Sequence, residues 1–138
     1  LSHKHAWGSD LCEVLALPYP SATRPYSFDD LFEQCQRRSH GLLGAEPLIV
    51  ISHLTVPGVA PGEEAGEMSR GRDVVYPIQR VLELAKSDTR STVLLQGHYH
   101  RQQSLNFGGI HMHIAGSLAR LTFTEEYHAP GYLMIEVA

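Results

Sequence analysis

Apolar positions come in short runs along this chain, and the two clearest runs each end on histidine. In residues 92–96 (TVLLQ) the run Val93, Leu94, Leu95 is too short for a helix and reads as a buried strand. Residues 47–52 (PLIVIS) are apolar, largely β-branched, and lead into His53 in the same way. Residues 12–17 (CEVLAL) alternate enough for a further strand, which Pro18, Tyr19 and Pro20 bring to an end. Two stretches carry helical spacing instead. Leu31, Phe32 and Cys35 mark a helix over 28–39, with Ser27 as N-cap, Asp30 three residues on, and Gly41 and Gly44 closing it. Val74, Ile78, Val81, Leu82 and Ala85 mark another over 74–86, capped by Asp73, with Pro77 in the first turn where a missing amide is tolerated.

A helix lying between two buried strands predicts a βαβ unit, with the strands parallel and the crossover right-handed. Past His100 the period changes to two. Residues 103–107 and 110–114 flank Gly108 and Gly109, a hairpin signal. In the second of these strands Ile110, Met112 and Ile114 face one way, and His111 and His113 the other. That pair reads as a polar outer face in preference to a second metal site. Gly116 and Ser117 mark a turn, residues 118–123 read as extended, and 131–137 (GYLMIEV) as a final strand. Residues 1–10 lack a clear period and read as a frayed terminus despite His3 and His5. Residues 55–72 hold four glycines and two prolines and read as a long flexible loop. Springing from His53, it serves equally as a lid over a substrate or as a mobile spacer.

Composition narrows the class. At 138 residues one domain is expected, with chain enough for a sizeable core. Hydrophobic content of 43% against 19% charged fits a soluble globular protein, and no apolar run reaches membrane-spanning length. A net charge of −4 argues against wholesale wrapping by nucleic acid. It leaves room for a metal-centred nuclease, where bound cations hold phosphate locally. Cys12 and Cys35 lack metal-ligand or redox spacing and read as buried thiols or, less simply, a disulfide. With no charged-then-apolar leader, a cytoplasmic location is the default. The chain opens on Leu1 in place of Met, so a fragment or processed product is expected.

The chemistry lies at the strand ends. Gly97 lets the backbone turn as its strand stops, and His98 and His100 follow at the carboxyl end, where α/β sheets bind ligands. Extended geometry puts these two imidazoles on one side, to share one ion or to serve one ion each of a close pair. If the strand ending in His53 lies alongside, all three histidines converge, and a metal site at His53, His98 and His100 is the expectation.

Residues 97–100 (GHYH) resemble the final G-H-x-H motif of calcineurin-like metallophosphoesterases, and residues 51–53 (ISH) resemble the motif before it. The chain is most similar to the exonuclease subunit of double-strand-break repair complexes, the bacterial SbcD type. There a strand ending in His, a Gly-rich loop, a helix, G-H-x-H-x-x-Q, a hairpin and a G-S-x-x-R-x-x-F-x-E stretch follow one another. Residues 45–138 match that order, with Gln103 closing the first motif and residues 116–125 (GSLARLTFTE) the second. The resemblance implies an α/β fold, a metallophosphoesterase-type β-sandwich flanked by helices, of which this single partial domain (1–138) is the C-terminal half. It implies that His53 and His98 bind one divalent ion and His100 another. Mn is the ion implied, with Fe or Zn compatible with the ligand types. It implies phosphodiester hydrolysis, with DNA as substrate, a coiled-coil ATPase subunit as partner, and a homodimer as a further option. Ser117 and Arg120 fall in the G-S-x-x-R stretch. Arg120 is expected to orient a phosphate or brace the metal loop through Glu125 or Glu126, or to form only a surface salt bridge. The family's D-x-H, G-D-x-x-D and G-N-H-D/E motifs, which supply the bridging carboxylate and a catalytic histidine, do not occur, and none of the fifteen acidic residues stands in such a context. No catalytic residue is identified in this half. The competing readings are a non-catalytic metal- or phosphate-binding module and a regulatory subunit completed by a partner.

Overall fold

The computed structural model describes residues 2–7, 10–19, 26–39, 46–59, 74–87, 90–120, 126–127 and 129–136. It is an α/β structure. Strands β1 (Ser2–Trp7), β2 (Asp10–Leu17), β3 (Leu48–Ser52), β4 (Thr92–Gln96), β5 (Gln103–Phe107) and β6 (Ile110–Ile114) form one sheet in the order β1-β2-β3-β4-β6-β5. The inner strands β2, β3, β4 and β6 run parallel to one another, and β1 and β5 close the edges antiparallel. Helices α1 (Phe28–Ser39) and α2 (Ile78–Ser87) complete it.

The parallel registers align whole rows of side chains. Leu15, Val50, Leu94 and Met112 are lateral partners, and all four are buried. They share one core with Phe32 of α1 and Val81 and Leu84 of α2, so both helices cover the same face. Arg80 of α2 also reaches Asp29 of α1 at 3.0 Å. The next row, Ala16, Ile51, Leu95 and His113, belongs to the opposite face. There Ile51 stays 42% exposed in an apolar strand, which marks this face as the less covered one. The described residues form no second sheet packed against it.

Local chemistry explains the boundaries. The Ser27 hydroxyl accepts from the Asp30 amide at 3.5 Å at the start of α1, as its capping pattern predicts. The second helix starts at Ile78, four residues later than the expected 74. A residue before proline is pushed out of helical geometry, so Tyr76 stays extended and the Pro77 carbonyl opens the helix by accepting from the Val81 amide at 3.1 Å. Val75 instead bridges Thr55 in a parallel pair. The start of the expected 55–72 loop is therefore packed, with Val56 and Val59 buried, and residues 60–73 lie outside the described ones. The hairpin forms as predicted on Gly108 (φ 67°) and Gly109 (φ 96°).

Two expectations are corrected. Residues 2–7 are not a frayed end but strand β1, paired antiparallel with β2 from Ser2 against Leu15 to Trp7 against Asp10. Residues 131–136 are not a strand: they lie without a sheet partner among the described residues, with Tyr132 and Met134 exposed. Within the stretch expected to be extended, residues 118–120 form no strand, and 121–125 lie outside the description.

At the amino end of the sheet, which the sequence pattern left unremarked, Arg90 donates to Glu13 at 2.7 Å, both side chains almost wholly buried. Breaking such a pair from one side strands a charge and costs about 3–5 kcal/mol. Among the described residues no helix is long and apolar enough to cross a membrane.

Candidate functional site

The carboxyl ends of β3 and β4 lie side by side, because Ser52 and Gln96 are register partners and the Gly97 amide donates to the Ser52 carbonyl at 2.9 Å. The next residue on β3 is His53. Its ring occupies the space a side chain at position 97 would need: a Cβ on Gly97 would stand 2.6 Å from His53 Nδ1. Gly97 thus serves by close approach, whereas the sharp turn expected of it falls one residue later. His98 takes the left-handed conformation at φ 76°, uncommon for a residue with a side chain. This brings the His98 ring against His53, with centroids 5.2 Å apart and planes at 65°.

His98 Nε2 is buried and has no hydrogen-bond partner among the described residues. An orphaned buried polar atom costs about 1–3 kcal/mol unless a ligand meets it. Burial, and secondarily the charge His98 would carry, hold the His53 pKa below its usual 6.5. Both causes favour the neutral imidazole, the form that binds metal.

A polar floor underlies the pair. Ser52 Oγ hydrogen-bonds Gln96 Oε1, and Gln96 Nε2 donates to the carbonyls of Leu54 at 2.6 Å and Gly97 at 3.0 Å. Tyr99, the middle residue of G-H-x-H, turns into the core. Its hydroxyl accepts from the Val56 amide at 2.7 Å and donates to the Val56 carbonyl at 3.2 Å. It ties the histidine loop to the segment that follows His53. Neither Gln96 nor Tyr99 was singled out from sequence. The available signals were a glutamine closing an otherwise apolar strand and an aromatic between two histidines.

The rest of the predicted site assembles in part. His100 is half-buried, and its carbonyl accepts from the Ser117 amide at 3.0 Å. Gly116 permits this by its φ of 81° and by its lack of a Cβ, which would stand 2.8 Å from the His100 carbonyl oxygen. Ser117 is thereby held beside the histidine loop, its hydroxyl buried and without a partner among the described residues. Arg120 is exposed beyond it, as is Glu126, and Glu125 lies outside the description. Among the described residues no group of three or more His, Cys, Asp or Glu side chains is placed to hold a metal ion. His53 and His98 are together; His100 follows His98 by two residues without completing a three-ligand group among the described residues. Among the described residues the two rings stand without a carboxylate grouped with them, the group that bridges the ions of a two-ion centre.

No protein-family model matches the chain. No curated protein matches it either. Among solved structures, it is similar to one described as "GAP50 the anchor in the inner membrane complex of Plasmodium", with 13% identity and a TM-score of 0.43, over 85% of this chain. The chain spans 36% of that structure's length.

Proposed function

We propose that this chain is the metal-binding half of a metallophosphoesterase-type phosphodiesterase, with His53 and His98 as ligands to one divalent ion and His100 positioned toward a second. The observation that carries the reading is the buried, unpartnered Nε2 of His98 beside the neutral-favoured ring of His53, at the carboxyl ends of two parallel strands. A bound Mn, Fe or Zn ion would polarise a phosphoryl oxygen and acidify water. The chain's own part is to fix the ligands. Gly97 leaves room for the His53 ring, the Ser52–Gln96 floor sets the strand ends, and Tyr99 anchors the loop between the two G-H-x-H histidines. Ser117 and Arg120 serve to orient a substrate phosphate. The whole protein acts on DNA in the cytoplasm, beside a coiled-coil ATPase.

Calorimetric titration with manganese tests it, run beside a cleavage assay on duplex DNA. One manganese ion is expected, its binding lost in His98→Ala, with no cleavage by the chain alone. Metal binding unchanged in His98→Ala would overturn the assignment. Cleavage abolished by that substitution would show that ligands within this chain complete the centre. A non-catalytic metal-binding module is the second reading, and the lack of a third ligand grouped with the pair among the described residues favours it. Supplying the first-half motifs in one polypeptide separates the two, since only the first reading expects turnover to appear.

A further inference from the structure

A second histidine pair lies away from the strand tips, on the flank of β6. His111 and His113 are two residues apart on an extended strand, and their rings stand stacked, 6.1 Å between centroids and 13° between planes. Both belong to the less covered face, since their lateral partners on β4 are Val93 and Leu95 and those on β5 are Asn106 and Ser104. His111 is exposed and His113 half-buried. Across the hairpin, Ser104 Oγ lies 3.0 Å from His113 Nδ1.

We infer that His111 and His113 form a separate two-histidine chelate for a borderline transition-metal ion such as zinc, nickel or copper, outside the His53–His98 centre. Three features support it. Side chains at i and i+2 of a strand project the same way, so the backbone has already aligned the two donors. Two nitrogens each about 2.1 Å from one tetrahedral ion lie about 3.4 Å apart, so binding would turn the two neighbouring rings, 6.1 Å between centroids, to aim a nitrogen each at one point. With Nδ1–H of His113 donating to Ser104 Oγ, Nε2 is left as its ligand atom, the outer-shell arrangement that orients metal-binding imidazoles. Imidazole donors select Zn, Ni and Cu over Mg, Ca and Mn, and the rings of His53 and His98 share that preference, so the test is made with that pair broken. With only two protein ligands the remaining positions stay with water, or accept a donor from outside the chain.

Nickel titration followed by calorimetry tests it on four proteins: the unaltered chain, His98→Ala, His98→Ala with His111→Gln/His113→Gln, and His98→Ala with Ser104→Ala. The glutamines keep size and polarity at surface positions, so the fold is expected to hold, and circular dichroism checks it. Nickel binding should persist in His98→Ala, fall at least tenfold in affinity when His111 and His113 are replaced in that background, and weaken by roughly tenfold when Ser104 is. Nickel affinity unchanged by the His111 and His113 replacements in the His98→Ala background would overturn the site, as would complete loss of nickel binding in His98→Ala alone. Because His98 is absent from every variant compared, failure of the His53–His98 centre leaves this result standing.

Discussion

The imidazole of His53 meets two demands at once: it fills the gap above Gly97 and it faces His98. Gly97→Ala separates them. The new Cβ would collide with an exposed ring that can swing aside, so the stability cost should stay near or below about 1 kcal/mol. The ring would then leave its partner, and metal affinity should fall on the order of tenfold, because a ligand site tolerates only about 0.5 Å of misplacement. Parallel melts and metal titrations of the variant check both halves. The same residue sets a pH dependence in metal-free protein. Its pKa is lowered in the folded state, so the unfolded chain binds the proton more readily. The contribution is present in full above the unfolded value of 6.5 and is lost as pH falls through the lower folded one. Urea midpoints between pH 5 and 7.5 should drop toward acid, modestly for so exposed a ring, and His53→Gln should flatten the slope. His53 and His98 were legible because each closes an apolar strand. The left-handed turn was not, since sequence places such a conformation on glycine first and here it falls on the histidine beside it.

Among elements, the loop that carries the histidines owes its shape to Tyr99. Its hydroxyl satisfies both the amide and the carbonyl of Val56, and nothing apolar can do that. Tyr99→Phe should therefore cost about 1–3 kcal/mol in chemical denaturation, more than a surface hydroxyl would. It should also raise hydrogen exchange across residues 55–59. Elements with a strong period were read correctly: α1 over 28–39, β3, β4 and the 103–114 hairpin lie within a residue or so of their expected limits. Elements that depend on a partner were not. Residues 131–136 keep an alternating exposure, Leu133 and Ile135 half-buried and Tyr132 and Met134 out, yet form no strand. Periodicity reports a face, whereas a strand also needs a neighbour to bond. β1 is the converse case: its weak pattern is rescued by pairing with β2. Pro77 displaced the start of α2 because the restraint it places on Tyr76 outweighs the helical spacing of Val74.

On the scale of the whole molecule, the α/β class and the neighbouring parallel strands were legible, and the place of β6 was not. A hairpin can dock by either strand, and here the second one takes the inner position against β4. This has a consequence in time. The chain leaves β4 at Gln96 and must cross the end of β6, a strand not yet reached, before entering β5 at Gln103. The crossing residues include His98, Tyr99 and His100. The hairpin can close within microseconds on local contacts, but the crossing has no ground beneath it until that hairpin docks as a unit. The histidine loop is then the last part to order, and its amides should open together with β5 and β6. Gly108→Val, which forces a branched side chain into φ 67° at the hairpin's far end, should speed amide exchange at residues 99–102 as much as in the hairpin itself. If that loop kept its protection while the hairpin lost its own, the loop would have to order independently. Otherwise, a turn remote from the histidines determines when they meet.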